Sequence, residues 1–233
     1  MTAIPREERL IVALDVPTAR EARALVEKLE GAARFYKVGL ELFTSVGYFE
    51  LIEWLVKRGN KVFADLKLYD IPETVRRAVG NLRGSGATFL TVHGHRSVME
   101  AAAREKGAMK ILAVTVLTSF DERDLKEMGS TQTVEQLVLA RARGAAECGC
   151  DGVIASGLEA KVLKATFKER LLVVTPGIRP VAGKDDQKRT VDVAQAFANG
   201  ADYIVVGRPI RDSADPRAAA AGIQKTISGV FAK

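Results

Sequence analysis

Short apolar runs recur along the chain and alternate with longer amphipathic stretches. Most of these runs are rich in β-branched residues and carry apolar side chains at nearly every position, which is typical of parallel strands covered on both faces. The runs predict eight strands, at residues 10–16, 35–39, 61–66, 87–93, 110–117, 152–156, 171–175 and 201–206.

The stretches between these runs have the periodicity and the end signals of helices. They predict helices at about 18–30, 41–58, 72–82, 97–104, 122–147 with a break near Gly129, beyond Leu158, and at 212–227. Thr18 and Glu21 form a capping box at the first of these helices, and Pro72 suits the first turn of another. Eight strands that alternate with helical stretches over 233 residues indicate a closed (β/α)8 barrel formed by a single domain at 1–233. A doubly wound open sheet is the alternative.

Composition narrows the class of protein. The hydrophobic content of 47% is ordinary for a globular enzyme, and no apolar run approaches the roughly 20 residues of a membrane span. The N-terminal residues lack the apolar segment that a secretory signal peptide contains, so we expect a cytoplasmic protein. Cys148 and Cys150 have no accompanying cluster of cysteine or histidine, which favours reduced thiols over a metal site. The net charge of +6 is spread along the chain, so it favours a small anionic substrate over nucleic acid.

Charged residues collect where the predicted strands end. In a barrel these carboxyl ends share one mouth, which is where active sites form. Asp65 and Lys67 lie two residues apart at the end of the third strand and are expected to point the same way, and Asp70 follows in the turn. The same rule brings to the mouth Asp15, Lys37, His93, Thr118, Ser119, Pro176, Gly177, Gly207 and Arg208. The alternative interpretation is a set of solvated surface ion pairs.

A phosphate site is predicted after the last two strands, where barrels often bind this group. Gly207 would allow a backbone N–H to approach an oxygen closely, and Arg208 offers a forked donor. The long polar loop at 177–189 is a candidate lid, from which Arg179 and Gln187 could reach the same group. The alternative is an ordinary surface loop. His93, a single histidine at a strand end, is more simply a hydrogen-bonded structural residue than a base.

Seven motifs in this sequence resemble those of the orotidine 5′-phosphate decarboxylase family of the bacterial type. They occur in the family's order and cover essentially the whole chain, and the D-x-K-x-x-D-I-P-x-T-V stretch is the most specific. They are LDV at 14–16, KVG at 37–39, FADLKLYDIPETV at 63–75, VTVLTS at 114–119, TPGIR at 175–179, DQKR at 186–189 and VVGRPI at 205–210. One departure is the run HGHR at 93–96, where small residues would be expected after the histidine.

The resemblance implies a homodimer that converts orotidine 5′-monophosphate to uridine 5′-monophosphate, the last step of de novo UMP synthesis, without metal or organic cofactor. It implies that Lys67 donates a proton to the ring carbon that loses CO2. Asp65 and Lys37 would complete the charged array, with Asp70 reaching in from the partner subunit. The substrate-binding set that it implies is Asp15, Lys37, Asp65, Lys67, Asp70, Ile71, Thr74, Thr118, Ser119, Pro176, Arg179, Gln187, Gly207 and Arg208.

Two other functions share part of this pattern. Sugar-phosphate lyases of the same barrel superfamily have a similar D-x-K-x-x-D motif but use a metal ion to stabilise an enediolate. The continuation through Ile71, Pro72, Thr74 and Val75 favours the pyrimidine enzyme. A non-catalytic nucleotide-binding barrel is disfavoured because Asp65, Lys67 and Asp70 are all present.

Overall fold

The computed structural model describes residues 4–179 and 189–232, and its strands close into a barrel. Each strand pairs in parallel with the next, and the last pairs with the first. The strands are β1 (Leu10–Ala13), β2 (Phe35–Gly39), β3 (Lys61–Leu68), β4 (Phe89–His93), β5 (Lys110–Val114), β6 (Gly152–Ile154), β7 (Leu172–Thr175) and β8 (Tyr203–Val206). The predicted (β/α)8 barrel is therefore confirmed, and the open sheet is not.

Helices surround the barrel on its outer side. Within the described residues they are α1 (Ala19–Leu29), α2 (Leu40–Phe43), α3 (Tyr48–Lys57), α4 (Pro72–Arg83), α5 (Arg96–Glu105), α6 (Glu122–Glu127), α7 (Val134–Cys148), α8 (Ala160–Phe167), α9 (Val193–Ala198), α10 (Arg208–Arg211) and α11 (Pro216–Val230). Thr18 caps α1 by accepting a hydrogen bond from the Glu21 N–H at 3.2 Å, and Pro72 lies in the first turn of α4, as the sequence predicted. The capping box is only half formed, because the Glu21 carboxylate accepts the Thr18 hydroxyl rather than the Thr18 backbone N–H.

The strands are apolar because each one is buried on both faces. One face of β3 packs outward with Val62, Ala64 and Leu66, while Phe63 points into the barrel, which is the predicted alternation. The interior layer consists of Ile11, Ala13, Phe35, Phe63, Phe89, Leu112, Val114, Ile154, Leu172, Val174, Tyr203 and Val205. A well-packed apolar interior of this kind fixes the strand ends relative to one another.

Four aromatic rings fill part of that interior. Phe89 lies 4.9 Å from Phe35, 5.2 Å from Tyr203 and 6.0 Å from Phe63, measured between ring centroids. The rings meet at tilted or edge-to-face angles, which the quadrupoles of aromatic rings favour. The residues that follow on the same faces of β2, β3 and β4 therefore stand on a rigid apolar floor.

The predicted boundaries differ from the structure in several places. The single helix expected at 41–58 is two helices, α2 and α3, because the chain turns between them at Gly47, whose φ of +91° suits glycine. Neither α9 nor the short α10 was predicted from the sequence. β1 and β5 end at Ala13 and Val114, earlier than predicted, so Asp15 and Thr118 lie in the loops beyond them.

The sequence also predicted reduced cysteine thiols and no apolar run as long as a membrane span. Both cysteines are free thiols, and burial raises the pKa of Cys150 to about 12, which keeps it protonated at neutral pH. No helix in the described part of the chain is long and apolar enough to cross a membrane.

Candidate active site

A cavity of about 250 Å³ opens at the carboxyl ends of the strands. Its walls combine apolar side chains of the barrel interior with charged and polar groups of the loops that follow. The lining residues that the sequence predicted are Asp15, Lys37, Asp65, Lys67, Thr118, Ser119, Pro176, Gly177, Arg179, Gly207 and Arg208. The structure thus brings together residues that are spread over nearly 200 positions of the chain.

Four charged side chains form a continuous row across this cavity. The Lys37 ammonium lies 2.7 Å from the nearer carboxylate oxygen of Asp15 and 3.6 Å from Asp65. On the other side of Asp65, the Lys67 ammonium lies 2.9 and 2.8 Å from the two carboxylate oxygens. The signs alternate along the row, so each charge has an opposite neighbour.

Strand periodicity explains how the row is built. Lys37 and Asp65 each come two residues after a phenylalanine of the barrel interior, so they continue the inward face just above the aromatic floor. Gly39 leaves room for the Lys37 ammonium, since a Cβ at this position would lie only 3.1 Å from the Lys37 Nζ. The KVG motif therefore supplies both the ammonium and the space that it occupies.

Lys67 reaches the same row by a less regular route. Its φ of +47° is in the left-handed region, which is uncommon for a residue other than glycine, and the register between β3 and β4 shifts between Ala64 and Leu68. The Lys67 N–H donates to the hydroxyl oxygen of Thr91 at 3.0 Å, which stabilises this local conformation. Sequence alternation alone predicted a regular strand here.

The buried charges shift one another's ionisation. Burial opposes the charged form of Asp65, but the ammonium groups of Lys37 and Lys67 and hydrogen bonds from Lys67 and Thr91 outweigh it and hold the pKa of Asp65 below its usual value. Burial likewise disfavours charged Lys37, yet Asp65 and Asp15 raise its pKa above the ordinary value. The Asp65–Lys37 pair is therefore ionised at neutral pH.

Thr91 is a site residue that the sequence analysis missed. It is fully buried on β4, and its hydroxyl donates to the Asp65 carboxylate at 2.8 Å while accepting the Lys67 N–H. One side chain thus holds both members of the predicted pair. The signal was present in the sequence, because Thr91 is a polar residue two positions after Phe89, on the inward face of an otherwise apolar strand.

Three residues of the implied substrate-binding set, Asp70, Ile71 and Thr74, do not line the cavity of their own chain. Asp70 is exposed in the loop after β3 and accepts the N–H of Ile71 at 2.6 Å. Ile71 is 67% exposed, and Thr74 lies on the exposed side of α4. Tyr69 directs this loop toward the end of β4, where its ring centroid lies 5.2 Å from that of His93 and 4.8 Å from that of His95. The two histidines contact this loop and do not line the cavity.

The opposite wall carries the predicted phosphate-binding residues. Arg179, Gly207 and Arg208 line the cavity, whereas Gln187 falls outside the described residues. A Cβ at Gly207 would lie 3.5 Å from the Ala13 Cβ and 3.7 Å from the Asp15 Oδ2. The residue type therefore keeps this edge of the cavity open.

Arg211 is a second cavity residue that the sequence analysis missed. Its guanidinium donates to the backbone carbonyl of Asp15 at 2.6 Å and pairs with Asp212, which ties α10 to the loop after β1. No pattern in the sequence pointed to it, because it lies five residues beyond β8 on a helix of only four residues.

Comparisons with known proteins agree with the fold and with the motifs. A family model described as "Orotidine 5'-phosphate decarboxylase / HUMPS family" matches residues 8–223. An orotidine 5′-phosphate decarboxylase of Methylococcus capsulatus is 58% identical, with 98% of this chain and 96% of that protein covered. One from Stenotrophomonas maltophilia is 48% identical, with 97% of this chain and 95% of that protein covered.

A solved structure is similar over nearly the same extent. The crystal structure of orotidine 5′-phosphate decarboxylase from Lactobacillus acidophilus has a TM-score of 0.83 and 35% identity to this chain, covering 94% of this chain and 99% of that one. The match extends through the strands whose ends carry the charged row. The chain therefore belongs to the orotidine 5′-phosphate decarboxylase / HUMPS family, as its motifs predicted.

Proposed function

We propose that this chain decarboxylates orotidine 5′-monophosphate to uridine 5′-monophosphate and CO2, with Lys67 as the proton donor. The family and the names of the similar proteins support a carboxy-lyase acting on this nucleotide. The observation that carries the role of Lys67 is its position: its ammonium lies in the cavity, 2.8 Å from Asp65 within the alternating row of charges.

The reaction needs a fixed positive charge next to one ring carbon. When the bond to CO2 breaks, its electron pair stays on the ring carbon in the plane of the ring, where π delocalisation helps little. A preorganised ammonium stabilises this developing charge with little reorganisation. Lys67 then transfers a proton to the carbon, which forms the C–H bond of the product. Asp65 fixes the direction of the ammonium, because both of its carboxylate oxygens accept hydrogen bonds from the Lys67 Nζ.

The remaining cavity residues divide between the parts of the nucleotide. Asp15 and Lys37 suit the ribose hydroxyls, and Thr118, Ser119 and Pro176 form the wall against which the pyrimidine would lie. Arg179, Gln187, Gly207 and Arg208 are assigned to the phosphate. Binding energy from this distant group can serve catalysis by holding the substrate in place and water out.

A homodimer completes the proposal. Asp70, Ile71 and Thr74 are exposed on their own chain, although they belong to the motif that carries Lys67. A large aliphatic side chain such as Ile71, exposed beside a charged site, fits a surface that a second copy covers. In this arrangement Asp70 of one chain enters the cavity of the other. A cytoplasmic location and the absence of a nucleic-acid partner remain predictions from the sequence.

Replacement of Lys67 tests the central role. Lys67→Ala should abolish turnover while leaving binding of uridine 5′-monophosphate, because the phosphate and ribose contacts remain. Lys110→Ala is a matched control, since Lys110 begins β5 at the opposite end of the barrel. Turnover of Lys67→Ala at anything near the unmodified rate would refute the assignment.

Mixed dimers test the shared site. Chains carrying Lys67→Ala and chains carrying Asp70→Ala would each be inactive alone, but a hybrid dimer would contain one site with both native residues. We expect activity to reappear on mixing, at no more than about half of the native activity per hybrid dimer. A verified hybrid without activity would contradict the contribution of Asp70 from the partner.

A further inference from the structure

Arg189 and Glu159 form a buried ion pair behind the wall formed by the loop after β5. Both residues are less than one-tenth exposed, and one guanidinium nitrogen of Arg189 lies 2.5 Å from a carboxylate oxygen of Glu159. The other terminal nitrogen donates to the carbonyls of Val116 and Leu117, at 3.1 and 3.0 Å. Arg189 therefore holds the backbone immediately before Thr118.

The backbone at this point has left the barrel ladder and depends on side chains for its hydrogen bonds. β5 ends at Val114, and Thr115 makes the last contacts to β6, through its N–H and hydroxyl to the carbonyl of Ile154. Arg141 donates to the carbonyl of Thr115 from α7. Two arginines thus bind three consecutive carbonyls, at residues 115, 116 and 117, and the next two residues line the cavity.

The ion pair is poorly suited to a purely stabilising role. Burying two charges costs several kcal/mol per ion, which attraction offsets only when the remaining polar atoms are also satisfied. Here Glu159 Oε2 and Arg189 Nε are buried and have no hydrogen-bond partner among the described residues. What the pair does provide is direction, because Glu159 orients the guanidinium toward the two loop carbonyls.

We infer that Arg189, oriented by Glu159, is a positioning residue that sets the loop at 116–119 against the base of the bound nucleotide. This inference rests on the proposed function, in which Thr118 and Ser119 contact the pyrimidine. Arg189 does not line the cavity, so it acts through the backbone that it binds. Its loss should weaken recognition of the base more than recognition of the phosphate and ribose.

Binding of two ligands can separate recognition of the base from recognition of the phosphate and ribose. Uridine 5′-monophosphate contains base, ribose and phosphate, whereas ribose 5-phosphate lacks the base. We expect Arg189→Met to weaken binding of uridine 5′-monophosphate about tenfold or more, the loss typical of a charge-assisted hydrogen bond. Binding of ribose 5-phosphate should change less than about twofold. Glu159→Gln and Arg189→Lys keep much of the shape and should show smaller losses in the same direction, and Arg208→Ala should weaken both ligands.

Titration calorimetry on the full dimeric protein measures both affinities without turnover, and melting curves identify any variant that does not fold. If Arg189→Met is unfolded, Arg189→Lys and Glu159→Gln carry the test. Unchanged affinity for uridine 5′-monophosphate in the folded variants, or equal weakening of both ligands, would overturn the positioning role. Absence of decarboxylation by the unmodified protein would instead refute the proposed function, so the two failures are distinguishable.

Discussion

Thr91→Val offers the most controlled test of how the charged row is held. The substitution keeps the shape of the side chain but removes the hydroxyl that donates to Asp65 at 2.8 Å and accepts the Lys67 N–H at 3.0 Å. Asp65 then loses one of its fixing contacts, and the partly buried backbone N–H of Lys67 loses its acceptor. Both effects fall on the two residues whose relative geometry the proposed reaction requires.

The size of the effect follows from the contacts. A hydrogen bond to a charged group is worth about 1.5–3 kcal/mol, so if it acts fully in the transition state kcat falls about 10- to 150-fold. The partly buried Lys67 N–H, left without an acceptor, lowers the free energy of unfolding by a further ~1 kcal/mol, the lower end of the cost for a buried donor. We expect KM to change less than kcat, because Thr91 is fully buried and does not line the cavity.

Thr175→Val is the matched control. Thr175 is also fully buried at the carboxyl end of a barrel strand, but its hydroxyl has no hydrogen-bond partner among the described residues. Steady-state kinetics and urea unfolding of the two variants should therefore differ, with near-native values for Thr175→Val. If Thr91→Val matched its control in both kcat and stability, the structural argument for the Asp65–Lys67 pair would be wrong.

Three further predictions concern other parts of the site. Arg208→Ala should raise KM for the nucleotide without unfolding the protein, and an unchanged KM would remove it from the phosphate site. The pKa of Asp65 in the folded protein lies below its ordinary value of 3.8. The charge of Asp65 therefore stabilises the folded protein above pH 3.8, and this stabilisation is lost as the pH falls through the folded pKa. The free energy of unfolding should then fall less steeply with decreasing pH in Asp65→Asn than in the unmodified protein. The same pH dependence in both proteins would contradict this contribution of Asp65. Gly39→Ala should impair activity by displacing Lys37, whereas Gly229→Ala, where a Cβ meets nothing within 4 Å, should not; equal activities would contradict the crowding argument.

The sequence predicted the barrel because buried parallel strands leave a strong signal. Every residue of Phe35–Gly39 is buried, so this run has no solvent-facing side, and runs of this kind alternate with amphipathic helical stretches along the chain. Alternation also placed Asp65 correctly, since it continues the inward face that begins at Phe63. The turn at Gly47 was missed because the residues on both sides of it keep a helical pattern of apolar positions.

What the sequence could not provide are contacts between distant residues and departures from regular backbone. The pairing of Glu159 with Arg189 joins loops after β6 and β7, and neither residue stands out in its own segment. The left-handed conformation of Lys67 depends on the hydroxyl of Thr91 on the neighbouring strand. Such features follow from the closed barrel as a whole and become visible only when the strands are placed side by side.

The most direct measurement is the loss of orotate absorbance when the purified protein meets orotidine 5′-monophosphate in excess chelator. We predict rapid loss of absorbance with stoichiometric formation of uridine 5′-monophosphate and CO2. No loss from correctly folded protein would contradict this proposal and would favour the metal-dependent sugar-phosphate lyases, whose substrates would then be assayed with magnesium.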